Sequence, residues 1–400
     1  MMHHDVVIVG GGCVGLSVAK HLVEQTDLDI AVLEKEHHLA AHQSGRNSGV
    51  LHPGFNYSPD SKKARFATEG TERMKMYCAE HDIPCEECGV VVVAQDDEEE
   101  VRLDDLAAQA EANGVAYERL DSQEAIRAHE PHAEGQAALY APEAASVDVE
   151  QYVYALAREI REAGVSIYTG YEVTGIDHAD PGYTLRTSNG RFATDYLVNA
   201  AGLYADTLAH QVGVGERYQV VPFRGEYYEV RPERTDLCQS MIYPTPDPEL
   251  PFLGVHYTRR TDGKVIVGPN AVLAFGREAY DNTDVNPREL LATLTYAGFR
   301  RLLASKRMIA VAYSELNKSY RKAKFTAASQ RLVPEIRSAD LKNSYAGIRA
   351  QLVSADGKLV KDPLFIERED AIHILNAVSP GFTSSLPFGE HIAERIVAKA

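Results

Sequence analysis

Three glycines near the amino terminus carry the clearest chemistry in the chain. Gly10, Gly12 and Gly15 stand in the spacing G-x-G-x-x-G. In that pattern the first glycine makes a tight turn and the second lets backbone approach a pyrophosphate. The third lets a helix pack closely on a strand. Backbone N–H groups at the start of the following helix then bind the phosphates. Glu34 is placed to accept hydrogen bonds from both hydroxyls of an adenosine ribose. The set implies a dinucleotide, and on its own does not separate a flavin from a nicotinamide.

A second group of residues offers a different chemistry. Cys78, His81, Cys85 and Cys88 place four residues of metal-ligand type within eleven residues, and C-x-x-C is a zinc or redox spacing. Cys78 and His81 fall on one helix end, however, no second C-x-x-C exists, and Cys13 and Cys238 are isolated. The expectation is scattered buried thiols and no metal.

The elements that must position these residues follow from periodicity. Residues 5–9, Asp-Val-Val-Ile-Val, carry a continuous β-branched run from Val6, the mark of a strand buried on both faces of a parallel sheet. Val14, Val18, Leu22 and Val23 then recur at helical spacing, and residues 29–34 repeat the strand pattern, completing a β-α-β unit. Residues 35–59 are too polar for a core element and too long for an idle connection, so they read as a ligand-contacting loop. Helices are expected over 61–81 and 151–163, and a strand over 90–95. The acidic run 96–100 reads as the start of a surface helix, where carboxylates suit the positive end of the dipole. Strands are expected within 165–185 around a turn at 180–182, over 196–202, and over 219–230, where polar and apolar residues alternate. A helix is expected near 287–303, a strand over 372–378, a turn at 379–381, and a last helix from about 388.

Composition narrows the class. Four hundred residues suggest two or three domains, and 44% apolar with 25% charged residues fits a globular chain. Lys and Arg number 41 against 58 Asp and Glu, a net charge of −17. That balance repels nucleic-acid phosphates and anionic lipid from the surface as a whole. No apolar run approaches the roughly 18 residues of a transmembrane span. The amino terminus runs straight into a strand, which leaves no room for a signal peptide. Five cysteines, an odd count, fit a reducing compartment, so the expectation is a cytoplasmic protein. Only 14 of the cations are lysines. Many carboxylates with few lysines resembles the surfaces of halophilic proteins, where salt screens self-repulsion.

Around the glycine fingerprint, the chain resembles the D-amino-acid-oxidase-like superfamily of FAD-dependent oxidoreductases. The strand ending Asn199-Ala200-Ala201-Gly202 and the polar loop carry that likeness. More specific segments are similar to the L-2-hydroxyglutarate dehydrogenase/oxidase family. They are residues 42–54, 242–248, 252–259, 268–275, 347–351 and 379–385, so the likeness runs nearly end to end. Phe382 after Gly381 is a departure, a large residue where small ones are expected. The resemblance implies an α/β fold: a Rossmann-like FAD-binding domain from residues 1–87, 145–215 and 340–400, with an inserted mixed-sheet substrate domain from 88–144 and 216–339. It implies FAD held by Gly10, Gly12, Gly15, Glu34, Ser44, Arg46, Asn47, Ser48, Gly49, Ala201, Gly202, Gly381, Thr383, Ser384 and Ser385. Residues 383–385 are also expected to cap the last helix and aim its positive end at the flavin.

The implied reaction oxidises L-2-hydroxyglutarate to 2-oxoglutarate, with hydride transfer from C2 to flavin N5 while a base takes the hydroxyl proton. Such a dicarboxylate needs anchors at both ends. Arg349 is the first choice for a carboxylate clamp, because a guanidinium pairs bidentately. Arg224 is the second cation, with Tyr227, Tyr243 and Asn270 as donors. His52 and His256 are the candidate bases, with His52 ranked first, and His52 also a candidate to touch or carry the flavin. The electron acceptor is oxygen or a quinone, and a quinone leaves peripheral contact with a bilayer open. Rival readings of the same fold are an amine or amino-acid oxidase of the glycine or sarcosine type, and a non-catalytic flavoprotein subunit.

Overall fold

The computed structural model of the chain describes residues 1–248, 252–377 and 379–399. Two large sheets organise it. The first is built around a parallel core in which Met2–Val9 lies between Gly190–Asn199 and Ile30–Glu34. Ser166–Thr169 extends it on one side and Ala371–Asn376 on the other. Val6, Val7, Ile8, Ala31 and Val32 are all buried, because helices cover one face and a strand layer the other. The helices Cys13–Gln25, Val149–Glu162 and Ser385–Val397 share that core.

Among the described residues the second sheet has nine strands. Its spine is the antiparallel pair Tyr218–Val230 and Leu341–Ser354, in register from Tyr218↔Ser354 to Val230↔Leu341 with one bulge. Val90–Ala94 pairs parallel with Met241–Pro244 and antiparallel with Ala137–Ala141, so the sheet is mixed as expected. Leu341–Ser354 hydrogen-bonds within the second sheet, although the sequence partition put residues from 340 onward with the flavin domain.

Several expected elements differ at their ends, each for a physical reason. The helix expected near 287–303 is two helices, Pro287–Thr295 and Ala297–Leu303. Tyr296 between them is extended, and its hydroxyl donates to the carbonyls of Arg217 and Val353, 3.0 Å each. The last helix starts at Ser385 rather than 388, because Pro387 in a first turn lacks only an N–H that would have no helical partner. The strand expected over 372–378 is Ala371–Asn376, and Val378 lies outside the described residues. The acidic run behaves as expected: Asp96 caps Asp97–Ala112 by accepting from the Glu99 N–H at 2.9 Å.

Candidate active site

The glycine turn brings chain segments closer than any other residue allows. Gly10 has φ +113°, and a Cβ there would stand 2.4 Å from the Ala200 carbonyl oxygen. At Gly15 a Cβ would stand 2.1 Å from the Gly10 oxygen, and at Gly12 2.8 Å from Ser44 Oγ. Gly12 caps the helix Cys13–Gln25 with no side-chain hydrogen bond, and no acidic residue occupies the first turn. The positive helix end is therefore an anion seat, rimmed by Ser44, whose hydroxyl accepts from the Cys13 N–H at 3.0 Å. Glu34 accepts from the N–H groups of Gly11 (2.9 Å) and Glu36 (3.0 Å). Each of its oxygens keeps a lone-pair direction for a hydroxyl.

The polar loop is held by its own side chains. Asn47 donates to the carbonyls of Gln43 and Ser44, and its Oδ1 accepts from the Gly49 N–H at 2.8 Å. Arg46 Nε donates to the Ala41 carbonyl, and its guanidinium lies 4.2 Å from the Tyr280 ring centre. Thr383 ties the tail to this loop: its hydroxyl accepts from the His52 N–H and donates to the Val50 carbonyl, 3.2 Å each. Glu36, His42 and Glu278 converge nearby. The Lys35 ammonium already lies between the two carboxylates, 2.6 Å from Glu278, so a cation of the chain's own holds that centre.

At the other end of the same cleft, of about 1220 Å³, stand His52, Tyr227, Tyr243, His256 and Arg349. The Tyr243 ring lies 6.3 Å from His52 and 4.3 Å from His256. His256 Nδ1 is 2.8 Å from the Gly254 carbonyl oxygen, a contact that requires the proton on Nδ1 and leaves Nε2 as an acceptor. Burial pushes His256 down to about 3, against the pull of the Gly254 bond and with help from nearby Arg349. Burial alone brings His52 to about 4. Both rings are therefore neutral near neutral pH. Arg349 Nη1 is buried with no hydrogen-bond partner among the described residues, and its guanidinium lies 5.0 Å from the Phe252 ring. A buried guanidinium nitrogen without an acceptor carries an uncompensated desolvation cost. An anion entering the cleft would remove it.

The family model described as DAO, FAD dependent oxidoreductase, matches residues 5–395. The chain belongs to that family. It is 40% identical to the L-2-hydroxyglutarate dehydrogenase of Indibacter alkaliphilus over 98% of both chains. It is 38% identical to that of Escherichia coli, covering 98% of this chain and 93% of the relative. The mitochondrial enzyme of Nematostella vectensis is also 38% identical, over 98% and 90%. Among solved structures, the fold is similar to the FAD-bound L-alpha-glycerophosphate oxidase of Mycoplasma pneumoniae (TM-score 0.79, 24% identity, 100% and 95% covered). It is also similar to glycine oxidase of Geobacillus kaustophilus (TM-score 0.75, 21% identity, 100% and 96% covered).

The cofactor of this DAO-family chain is FAD, and the residues present fit it. The bare helix end and glycine contacts suit the pyrophosphate, and Glu34 suits the ribose. Gly10, Gly12, Gly15, Glu34, Ser44, Arg46, Asn47, Ser48, Ala201, Gly202, Gly381 and Thr383 all line the cleft.

Other expected contacts are not brought there. Gly49 is a turn position, with φ +75° and a Cβ site 2.6 Å from the Val147 carbonyl oxygen. Ser385 is buried against Tyr152, hydroxyl to hydroxyl at 2.9 Å. Ser384 is the N-cap of the last helix but makes no side-chain cap bond, and the Thr383 hydroxyl is already committed to residues 50 and 52. The expected capping by 383–385 is therefore absent. Phe382 does line the cleft, packed edge-on against Tyr152 at 5.4 Å.

Arg224 and Asn270 are the main corrections. Arg224 donates to Glu226, to the carbonyls of Ala279 and Asp281, and to Asn282. Asn270 is spent on Glu226 as well, accepting from its N–H and donating to its carboxylate. Neither lines the cleft. The signal that separates them was present: Arg224 and Tyr227 are an odd number of residues apart on one strand, so alternation sends them to opposite faces.

A cation the sequence did not single out does line the cleft. Lys63 lies 5.6 Å from the Tyr57 ring centre, and burial, opposed by Asp362, pushes it down to about 8. A Lys62-Lys63 pair in a first helical turn opposes the helix dipole. Such local conflicts mark sites held for another purpose.

Proposed function

We propose that this chain oxidises L-2-hydroxyglutarate to 2-oxoglutarate and passes the electrons to oxygen or a quinone. The observation that carries the reading is the buried, unpartnered Arg349 Nη1, close enough to His256 to act on its charge, with His256 Nε2 left as an acceptor. Arg349 takes the carboxylate next to the reacting carbon as a bidentate pair, which orients C2 and its hydroxyl. Tyr227 and Tyr243 supply hydroxyls to the remaining oxygens, and Lys63 is the cation available to the distal carboxylate. His256 Nε2 takes the hydroxyl proton, a role its fixed tautomer suits better than His52, and this reverses the order expected from sequence. His52 supports it across the Tyr243 ring. FAD, when bound, supplies the two-electron sink. The near-full-length identity to enzymes named L-2-hydroxyglutarate dehydrogenase supports the choice of substrate. We place the reaction in the cytoplasm, where five unpaired cysteines stay reduced.

Anaerobic mixing of the FAD-loaded protein with substrates tests this. L-2-hydroxyglutarate should bleach the flavin rapidly, while its D-isomer, glycine, sarcosine and glycerol phosphate should not. Bleaching by an amine or amino acid alone would replace this reading with an amine oxidase, and no bleaching at all with a silent flavoprotein.

A further inference from the structure

The cysteine cluster at residues 78–88 takes no part in the active site, and none of its thiols lines the cleft. Cys85 and Cys88 have the C-x-x-C spacing, yet they go to different places. Cys85 packs on the core beneath the first sheet, and Cys88 on a core of the second. The partner of Cys85 is Cys78 instead, and a side-chain hydrogen bond joins the two thiols. All five cysteines are free, but the expected scatter does not hold for this pair.

Local structure builds the contact. Cys78 lies in the last turn of the helix Lys62–Glu80, and its carbonyl accepts from the Ile83 N–H at 2.8 Å. Asp82, just before Ile83, has φ +55°. That bond and that left-handed residue make a Schellman turn, which reverses the chain at a helix end. Pro84 blocks a return to helix, and the strand Cys85–Glu86 pairs with Ala145–Val147 through Cys85↔Val147. Cys85 is thereby held beside the helical turn that the chain has just left.

The two thiols differ in access and in reactivity. Cys78 is fully buried and Cys85 half-buried, so the outer thiol is open to a small solute and the inner one only to its neighbour. The hydrogen bond from Cys78, aided by the Lys75 ammonium, pulls the Cys85 thiol below its ordinary value, against burial and the Glu87 carboxylate. The thiolate is the reactive form. His81 is turned to the Tyr77 ring, 4.1 Å away. Among the described residues these thiols belong to no group of three metal ligands.

The geometry points to a reversible disulfide site at Cys78 and Cys85, oxidised by a hydroperoxide. The Cys85 thiolate attacks one oxygen of hydrogen peroxide. An S–O bond forms, the O–O bond breaks, and hydroxide leaves to take up the proton that the thiol released. Cys78 then attacks the sulfenic sulfur: an S–S bond forms, the S–O bond breaks, and the oxygen leaves with the Cys78 proton as water. Two thiols lose two electrons, and one peroxide becomes two waters. Exchange with a dithiol restores both thiols. The bond fastens together two elements that hold the His52 backbone. Thr71 of the helix donates to the His52 carbonyl at 3.0 Å, and Val50–Leu51, paired with Ala145–Val147, leads into His52.

Hydrogen peroxide added to the FAD-loaded enzyme tests this, with thiols counted in denaturant and peptides mapped after cleavage at glutamate. The count should fall by two from five, with peptide 73–80 linked to peptide 81–86, and dithiothreitol should restore it. Cys85→Ser should slow the loss of thiols about tenfold or more. Cys78→Ala should accumulate a sulfenic acid at Cys85 that dimedone traps, and Cys88→Ser should still link the two peptides. A link from peptide 81–86 to the peptide beginning at Cys88 overturns the proposal. So does a wild-type count that stays at five, or a loss that dithiothreitol does not reverse. The wild-type map decides even where a variant fails to fold.

Discussion

Arg349 and Arg224 are near neighbours on paired strands and have opposite fates. The register places Phe223 opposite Arg349 and Arg224 opposite Ile348, so the two guanidiniums leave opposite faces of one sheet. Behind the sheet, Arg224 is surrounded by acceptors, Glu226 among them, and is as complete as a buried charge can be. In front, Arg349 has an aromatic ring below it and a buried nitrogen with no partner. One arginine is finished by the fold and contributes to stability. The other is left for a ligand to finish and contributes to binding. Arg224 is also the more deeply buried of the two, but what assigns their roles is the satisfaction of the donors.

The largest expected effect breaks that pair apart. Arg349→Met should lower kcat/KM for L-2-hydroxyglutarate by about a thousandfold, the order of a buried ion pair losing one partner. Its urea midpoint should hold or rise, because an uncompensated buried charge has been removed. Arg224→Met should do the reverse: about 3 kcal/mol of stability lost as Glu226 is stranded, with kcat/KM per flavin within a few-fold of wild type. Steady-state kinetics beside urea denaturation read both, and matching profiles in the two variants would dissolve the contrast.

A smaller effect concerns pH. The folded His256 and His52 values, about 3 and about 4, lie below the ordinary imidazole value near 6.5. The rings stay neutral and able to accept a proton as pH falls through 6.5. The acid limb of kcat/KM in the free enzyme should therefore fall below about pH 5. For stability the sign runs the same way: unfolded histidines protonate near 6.5 while these do not, so stability is lost as pH drops from 6.5 toward 4. A kinetic limb at 6.5 would show that neither buried ring is the base.

Salt should have a gentler influence. The −17 surface slows the approach of a dianion, while a buried clamp is little screened. kcat/KM should hold or rise as ionic strength increases, and a steep monotonic loss would place the substrate-binding cations at the surface. The smallest effect is at the tail: Ser384→Ala should change stability by less than about 0.5 kcal/mol because its side chain caps nothing. Ser61→Ala, which removes the bond from the Ala64 N–H at 3.1 Å, should cost about 1 kcal/mol.

Much of this was legible in the sequence, for reasons that differ by residue. The fingerprint around Gly10, Gly12 and Gly15 is local, so its turn and helix could be read without the rest of the chain. Period-two and period-3.6 patterns placed most elements, and they failed where one side chain mattered more than a pattern, as at Tyr296. Arg224 was misread because residue type was given more weight than strand alternation. Lys63 was overlooked because its surroundings include Lys361 and Asp362, which are distant in sequence. The choice between His52 and His256 turned on the Gly254 carbonyl, a contact set by loop geometry that no spacing rule encodes.

The most direct measurement is titration of 2-oxoglutarate against the oxidised FAD enzyme, followed by the change in the flavin spectrum, in wild type, Arg349→Met and Arg224→Met. The expected result is a Kd raised about a hundredfold or more in Arg349→Met and unchanged in the folded fraction of Arg224→Met. Equal affinity in wild type and Arg349→Met would contradict the assignment of the unpartnered arginine as the carboxylate clamp.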